Sequence, residues 1–326
     1  MNRFAAELAA LAARGAAGST RERPGVPRQH ILLADRPDGT VVRNGGVVVK
    51  AHAPDSDHAA LAVRIGIAAA PPLGGILLAP LAVTAPEGDT ALTTLLRGRP
   101  VSAWPHGQPV DPDRPDAAPW EDAARLLARL HRVPAAALPG PVPPMRGPAK
   151  VARALARMAA AGEHPQAPVV LAAAARLPAW ARGEAPAPPS SVLCHGDLHL
   201  GQLVRHPAPD GPWLLIDVDD LGLGDPAWDL ARPAAWYAAG LLGVVVWERF
   251  LDSYRAAGGI AAGPAGSDPW PELDVAARAL TVQTTALALA KSRAEGRGLD
   301  DVEQLMVQSC ARIGTLPPDL EQRRPS

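Results

Sequence analysis

Between residues 30 and 52 the chain reverses twice within a few residues, and those reversals limit what it can fold into. Three runs of β-forming residues, His30 to Ala34, Thr40 to Arg43 and Gly46 to His52, are joined by Asp38-Gly39 and Asn44-Gly45-Gly46. Such pairs supply the positive φ angles of tight hairpins, so the spacing predicts an antiparallel meander. A helix is predicted over Ser56 to Ala70, stopped by Pro71-Pro72, and apolar strands near Gly75 to Leu81 and Ala91 to Leu96. From Gly98 to Pro119 the chain is rich in Pro, Gly and Asp without period, which reads as a connector. Beyond it the period becomes helical. A helix opens at Pro119, with Glu121 and Asp122 in its first turn and Arg129, His131 and Arg132 in its last. Further helices are expected at Ala149 to Ala161, Ala167 to Ala181, Trp228 to Tyr237, Leu241 to Ala257, Pro271 to Arg293 and Leu299 to Ile313. The expectation is an α+β chain: a small antiparallel β-rich amino lobe over residues 1–97 and a larger, mainly helical carboxy lobe over residues 98–326.

With 326 residues, 48% hydrophobic and 20% charged, the chain has enough apolar material for a full core, and a disordered class is excluded. A net charge of -1 provides no basic field for nucleic acid or an anionic membrane, so neither partner is expected. The longest apolar run, Ala234 to Trp247, falls short of the roughly 20 residues a bilayer crossing needs. Glu7 and Arg14 interrupt the place of a signal peptide, and Cys194 and Cys310 are too few for a disulfide framework, so a cytoplasmic location is expected. Lysine occurs only at Lys50, Lys150 and Lys291, which makes each of them notable.

Chemistry concentrates in a β-rich island within the helical half, Ser191 to Asp229. Asp197, Asp210, Asp217, Asp219, Asp220, Asp225 and Asp229 stand there against Arg205 alone. Such clustering is costly unless cations or hydrogen-bond donors offset it, and a divalent metal would do so. Asp217 ends the apolar run Trp213-Leu214-Leu215-Ile216, which places its carboxylate at a strand terminus. Phosphoryl transfer from a nucleotide requires a carboxylate for the acceptor hydroxyl, oxygen ligands for Mg²⁺ and a lysine for the phosphates. Lys50 ends the strand Val47-Val48-Val49-Lys50, Asp197 and Gln202 have the spacing D-x-x-x-x-Q, and Asp217 follows on the next strand of a hairpin.

The segments HGDLHLGQLVRHP and WLLIDVDDLGLGDPAWDLA resemble the aminoglycoside phosphotransferase and choline kinase-like family. The match runs through His195, Gly196, Asp197, Ile216, Asp217, Gly224, Asp225, Pro226, Asp229, Leu230 and Ala231, and weaker likeness reaches Leu127 to His131 and Leu96 to Pro100. The resemblance implies a bilobal protein-kinase-like fold with ATP between the lobes. It implies Asp197 as catalytic base, His195 as the residue shaping that loop, Asp217 and Gln202 as Mg²⁺ ligands and Lys50 as the phosphate lysine. Asp225 and Asp229 would anchor the following turn and helix, and the adenine would lie near Thr94 to Leu96. This chain departs from the pattern in having Gln202 where Asn is usual, and Asp35-Arg36-Pro37-Asp38-Gly39 in place of a glycine-rich loop. The helix after Lys50 contains no Glu, so only Asp55 and Asp57 near its start could serve as the partner of Lys50, and Asp57 is preferred. Asp57 has an alternative role as cap of that helix.

The expected activity is ATP-dependent phosphorylation of a small-molecule hydroxyl. Residues 151–326 hold 20 acidic and 15 basic side chains, which points to a cationic acceptor such as an aminoglycoside, with Asp219, Asp220, Glu248 and Asp252 as amine contacts. A maltokinase-like neutral sugar kinase and a non-catalytic nucleotide-binding regulatory module are the alternatives.

Overall fold

The computed structural model describes residues 3–16, 30–36, 39–84 and 88–316. Two compact units emerge, one made of Met1–Ala118, Ala136–Pro143 and Gly201–Asp219, the other of Pro119–Ala135, Pro144–Leu200 and Asp220–Ser326. The expected antiparallel β-rich and helical parts are both present. No helix among the described residues is long and apolar enough to cross a membrane.

In the first unit, α1 (Arg3–Ala16) precedes the meander β1 (Ile31–Arg36), β2 (Gly39–Asn44) and β3 (Val47–His52). Pro37 and Asp38, part of the expected first hairpin turn, lie outside the described residues. Next come α2 (His58–Ala68), β4 (Val83–Thr84), β5 (Thr90–Ala91), β6 (Thr93–Leu96), β7 (Arg99–Pro105) and β8 (Gln108–Pro109). The main sheet is antiparallel in the order β1-β2-β3-β7-β6, so the supposed connector after Gly98 supplies an inner strand. Val101 to Trp104 are all buried there, and that burial outweighs the prolines at and next to the ends of the strand. The expected strand at Gly75 to Leu81 forms only isolated bridges, Leu77 to Leu215 and Leu81 to Ala103. Phe4, Leu8 and Leu11 of α1 pack with Val42, Val47, Val49 and Val101 into one core. Because side chains alternate along a strand, Lys50 and His52 occupy the face of β3 opposite Val49 and Ala51. Gly201–Asp219 adds β10 (Leu203–Arg205) and β11 (Trp213–Leu215), which join β8 in a three-stranded sheet.

The second unit is built on α8 (Trp270–Glu295), against which α4 (Gly147–Ala160), α5 (Ala167–Ala174), α6 (Ala227–Ala238) and α9 (Asp301–Gly314) pack. The expected helix Ala167 to Ala181 is broken: α5 ends at Ala174, and a 3-10 turn follows at Ala179–Arg182 after Pro178. α3 (Trp120–His131) carries its acids at the start and Arg129 and His131 at the end, and pairs with α7 (Val244–Ala256). The short strands β9 (Leu193–Cys194) and β12 (Gly222–Leu223) pair antiparallel and hold the Asp197 loop at their edge.

Candidate active site

In the first unit a lysine, a histidine and two aspartates meet on the sheet face opposite α1. Lys50 is held in register by Val41 on β2 and Ser102 on β7. Its Nζ lies 2.6 Å from Asp217 Oδ1 and 3.0 Å from Asp219 Oδ2. His52, fully buried, reaches Asp219 through Nδ1 and Ser102 Oγ through Nε2 at 2.8 Å. Gln202 ends a short 3-10 turn before β10, and its amide nitrogen faces Asp217 Oδ2 at 3.5 Å. The Gln202 carbonyl accepts from Ile216 N at 2.9 Å, which fixes the strand end from which Asp217 projects. β11 is fastened further by Leu78 N donating to Leu215 O and Leu215 N donating to Ile76 O.

Asp217 has φ 63°, a left-handed conformation that a non-glycine residue adopts at a cost. Such local strain is typical of positions held for function. Burial by itself would lower the Lys50 pKa, but the Asp217 and Asp219 carboxylates outweigh it and hold the ammonium above the usual lysine range. Burial by itself would raise Asp219, but Lys50 and His52 keep it well below the usual carboxylate range. The group thus contains two carboxylates against one permanent cation. Asp217 and the Gln202 amide offer hard oxygen donors, the chemistry Mg²⁺ takes, since the amide presents either its nitrogen or its oxygen by turning over.

The second unit carries a different cluster around Asp197. Lys150 Nζ, from α4, lies 2.9 Å from Asp197 Oδ1 and 2.8 Å from Asp220 Oδ2. Arg232, from α6, places Nη2 3.2 Å from Asp197 Oδ1 and donates through Nε to Leu198 O. Arg146 Nε approaches Asp220 Oδ1 at 3.5 Å. Burial by itself would raise Asp197, but Lys150 and Arg232 prevail and bring its carboxyl down to about 2. Both cations converge on Oδ1, and His199 adds a weaker influence on the same carboxylate.

The loop bearing Asp197 is fastened from beneath by Asp229, which is completely buried on α6. Its two carboxylate oxygens accept from His195 N and Gly196 N, each at 2.7 Å, and Oδ2 also meets His131 Nε2 at 3.0 Å. His131 Nδ1 lies 2.8 Å from the Tyr254 hydroxyl, which accepts in turn from Ile260 N and Ala261 N. Gly196 has φ 82°, and a Cβ there would stand 2.4 Å from Asp220 O, so no other residue fits this turn. His131, Cys194 and Asp229 lie close enough to share an ion, but the histidine nitrogens and carboxylate oxygens are already committed to these bonds. The Cys194 thiol points to Gly224 O, and burial pushes it up, which suits a packing role.

Of the residues nominated from sequence, Lys50, Gln202 and Asp217 come together in the first unit, while Asp197 and His195 lie in the second. Asp57 accepts from Ala60 N at 3.0 Å and caps α2, and the carboxylates at Lys50 are Asp217 and Asp219. Thr94 and Leu96 lie on β6, and Leu96 packs on the α1 core. Asp225 accepts from Ala227 N at the start of α6. Asp219, His52, Lys150 and Arg232 were not assigned these places from sequence. The rarity of lysine was the one signal that marked Lys150. A larger cavity, lined by Trp270, Asp274, Arg278, Ser309 and Arg312 among others, contains none of the nominated residues.

An amicoumacin kinase in complex with AMP-PNP, Ca²⁺ and Ami superposes with a TM-score of 0.60 at 16% identity, over 89% of each chain. A thermostable mutant of aminoglycoside phosphotransferase APH(4)-Ia, in ternary complex with AMP-PNP and hygromycin B, gives 0.56 at 14% identity, over 90% of this chain and 96% of that one. A choline/ethanolamine kinase family protein from Mesorhizobium loti gives 0.54 at 17% identity, over 94% of each chain. The likeness at these identities is one of fold, and it is the protein-kinase-like fold expected. No curated protein matches the chain by sequence. The sequence profile described as the phosphotransferase enzyme family matches residues 47–270, well over half of the chain, and the protein therefore belongs to that family.

Proposed function

We propose that this phosphotransferase moves the γ-phosphoryl group of Mg²⁺-ATP to a hydroxyl of a small molecule. The observation that carries this reading is the meeting of Lys50 with Asp217, a residue 167 positions away, beside Gln202. Lys50 would hold the nucleotide phosphates once its ammonium is shared between them and the two aspartates. Asp217 and Gln202 would hold the divalent cation, which supplies charge neutralisation to the phosphates when bound. Asp197 would accept a hydrogen bond from the acceptor hydroxyl and aim its oxygen in line with the phosphoryl group. A carboxylate with a pKa of about 2 is a weak proton acceptor, so its contribution is orientation first and proton uptake only as the new bond forms. His195 and Gly196, bound through their backbone to Asp229, keep that carboxylate in place.

A regulatory module without turnover gained support from the missing helix glutamate. That support weakens once Asp217 and Asp219 are seen at Lys50. Two of the four acids expected as amine contacts are already paired. Asp219 is engaged by Lys50 and His52, and Asp220 by Lys150 and Arg146, which leaves Glu248 and Asp252, both exposed on α7. Arg249, next to Glu248, pairs with Glu121 instead. The test is ADP release from Mg²⁺-ATP with a panel of hydroxyl acceptors. Acceptor-dependent release that disappears in Asp197→Asn supports phosphotransfer; release that ignores both the acceptor and the substitution contradicts it.

A further inference from the structure

Asp197 opens onto a small cavity, walled by Gly147, Lys150, Trp228, Arg232 and Gln283, that lies entirely within the second unit. Its enclosed space is about 10 Å³, room for no more than one water, so an acceptor would meet Asp197 at the mouth of the cavity. The charge of the wall is what discriminates. Among the described residues, Lys150, Arg232 and Arg146 pair with Asp197 and Asp220, three cations to two carboxylates, and His199 also acts on Asp197.

Lys150 and Arg232 are mostly buried, at 17% and 18% side-chain exposure, where charges act on one another more strongly than in water. An ammonium brought beside them would be repelled by both cations. An anionic oxygen meets the opposite situation. The Lys150 ammonium has three N–H groups and spends two on Asp197 and Asp220. The Arg232 guanidinium has five and spends Nε on Leu198 O and one Nη2 hydrogen on Asp197. The remaining donors belong to groups already ordered by these bonds, so they would bind an anion with little further loss of freedom.

We propose that the acceptor bears an anionic oxygen group, a carboxylate or a phosphate, beside the hydroxyl to be phosphorylated, and that Lys150 and Arg232 hold that group at the mouth of this cavity. The assignment rests on the phosphotransfer reading of Asp197 and names the substrate class of the same site. With the anion on Lys150 and Arg232, the acceptor hydroxyl falls to Asp197, and selectivity follows from charge: acids first, neutral sugars next, amino sugars last.

The test uses the full-length protein with Mg²⁺-ATP and four pyranoses of one ring type: glucuronate, glucose 6-phosphate, glucose and glucosamine. Turnover and acceptor binding are measured for the parent, Lys150→Gln and Arg232→Gln, with Mg²⁺-ATP affinity and melting temperature recorded for each. The expected result is kcat/KM for an acidic pyranose at least about tenfold above that for glucosamine, and an acceptor KM raised about tenfold in Lys150→Gln with Mg²⁺-ATP affinity kept. Preference between glucuronate and glucose 6-phosphate identifies the anion as carboxylate or phosphate. Glucosamine used best, no discrimination among the four, or no pyranose bound while Mg²⁺-ATP still binds overturns the assignment and leaves the kinase reading standing. A Lys150→Gln variant that loses kcat with acceptor KM unmoved also overturns it, because the lysine would then act on the transferred phosphoryl group. Failure of the parent to bind Mg²⁺-ATP overturns the phosphotransfer reading itself. If Lys150→Gln melts early, Arg232→Gln carries the comparison.

Discussion

The Lys50 cluster and the Asp197 cluster each set two aspartates against basic side chains, with opposite balance of charge. Around Lys50, two aspartates face one lysine, with His52 beside them. Around Asp197, two aspartates face a lysine and two arginines. The first is short of positive charge and, on the function proposed, would be completed by a cation; the second is short of negative charge and would be completed by an anion. The difference shows that counting acids along the sequence says little about what a site binds. What decides it is which of those acids are already paired, and by what.

The sharpest way to break this comparison is to remove the carboxylate of Asp197. Asp197→Asn should lower turnover by roughly 10²–10⁴-fold while Mg²⁺-ATP binds as before, because the group acts on the acceptor hydroxyl. Steady-state kinetics with equilibrium nucleotide titration checks both halves, and activity within tenfold of the parent would exclude the role. Lys50→Met should come next, with nucleotide affinity and kcat both reduced, on the order of 10²-fold in kcat/KM, since it removes the phosphate cation and strands Asp217 and Asp219.

Asp229 separates structure from chemistry. Asp229→Ala leaves His195 N, Gly196 N and His131 without their shared acceptor, and should cost about 3–5 kcal/mol in a denaturant melt. A smaller effect is expected on acidification. The Asp197 pKa is depressed in the folded state, from 3.8 to about 2, so its stabilisation is present above pH 3.8 and is lost as the pH falls through about 2. The contribution is about 2 kcal/mol, and Lys150→Gln should reduce it, since Lys150 is the largest of the influences that lower the pKa. Acid unfolding followed between pH 5 and 2 for both proteins reads the difference, and parallel curves would deny the pairing. Gln202→Asn should be mildest, within about tenfold in the Mg²⁺ dependence of turnover, because a neutral amide oxygen is retained.

The sequence revealed part of this arrangement and hid the rest for physical reasons. Lys50, Asp197, Gln202 and Asp217 were legible because short-range spacing and strand ends mark them. The meander was legible because Asn44-Gly45 can do little but turn. β7 was hidden because Pro100 and Pro105 give Arg99–Pro105 the look of a loop, while pairing with β3 and burial of Val101 to Trp104 decide the matter. α1 was not foreseen, although Phe4, Leu8 and Leu11 recur at helical spacing and pack on the sheet. The Lys150 to Asp220 pair was hidden because its partners are 70 residues apart, a distance no local pattern spans. Asp57 shows the same limit from the other side: its local role as a cap was readable, whereas the partners of Lys50 had to come from residues 167 and 169 positions later.

The central claim is that the two clusters divide the work, one holding the nucleotide and its metal, the other the acceptor. Calorimetric titration of Mg²⁺-ATP into Asp217→Ala and Asp197→Asn, with turnover measured on the same samples, tests it most directly. The account predicts that Asp217→Ala loses Mg²⁺-ATP affinity and turnover together, whereas Asp197→Asn keeps the affinity and loses only turnover. Unchanged affinity in Asp217→Ala, or an equal loss of affinity in both variants, would contradict it.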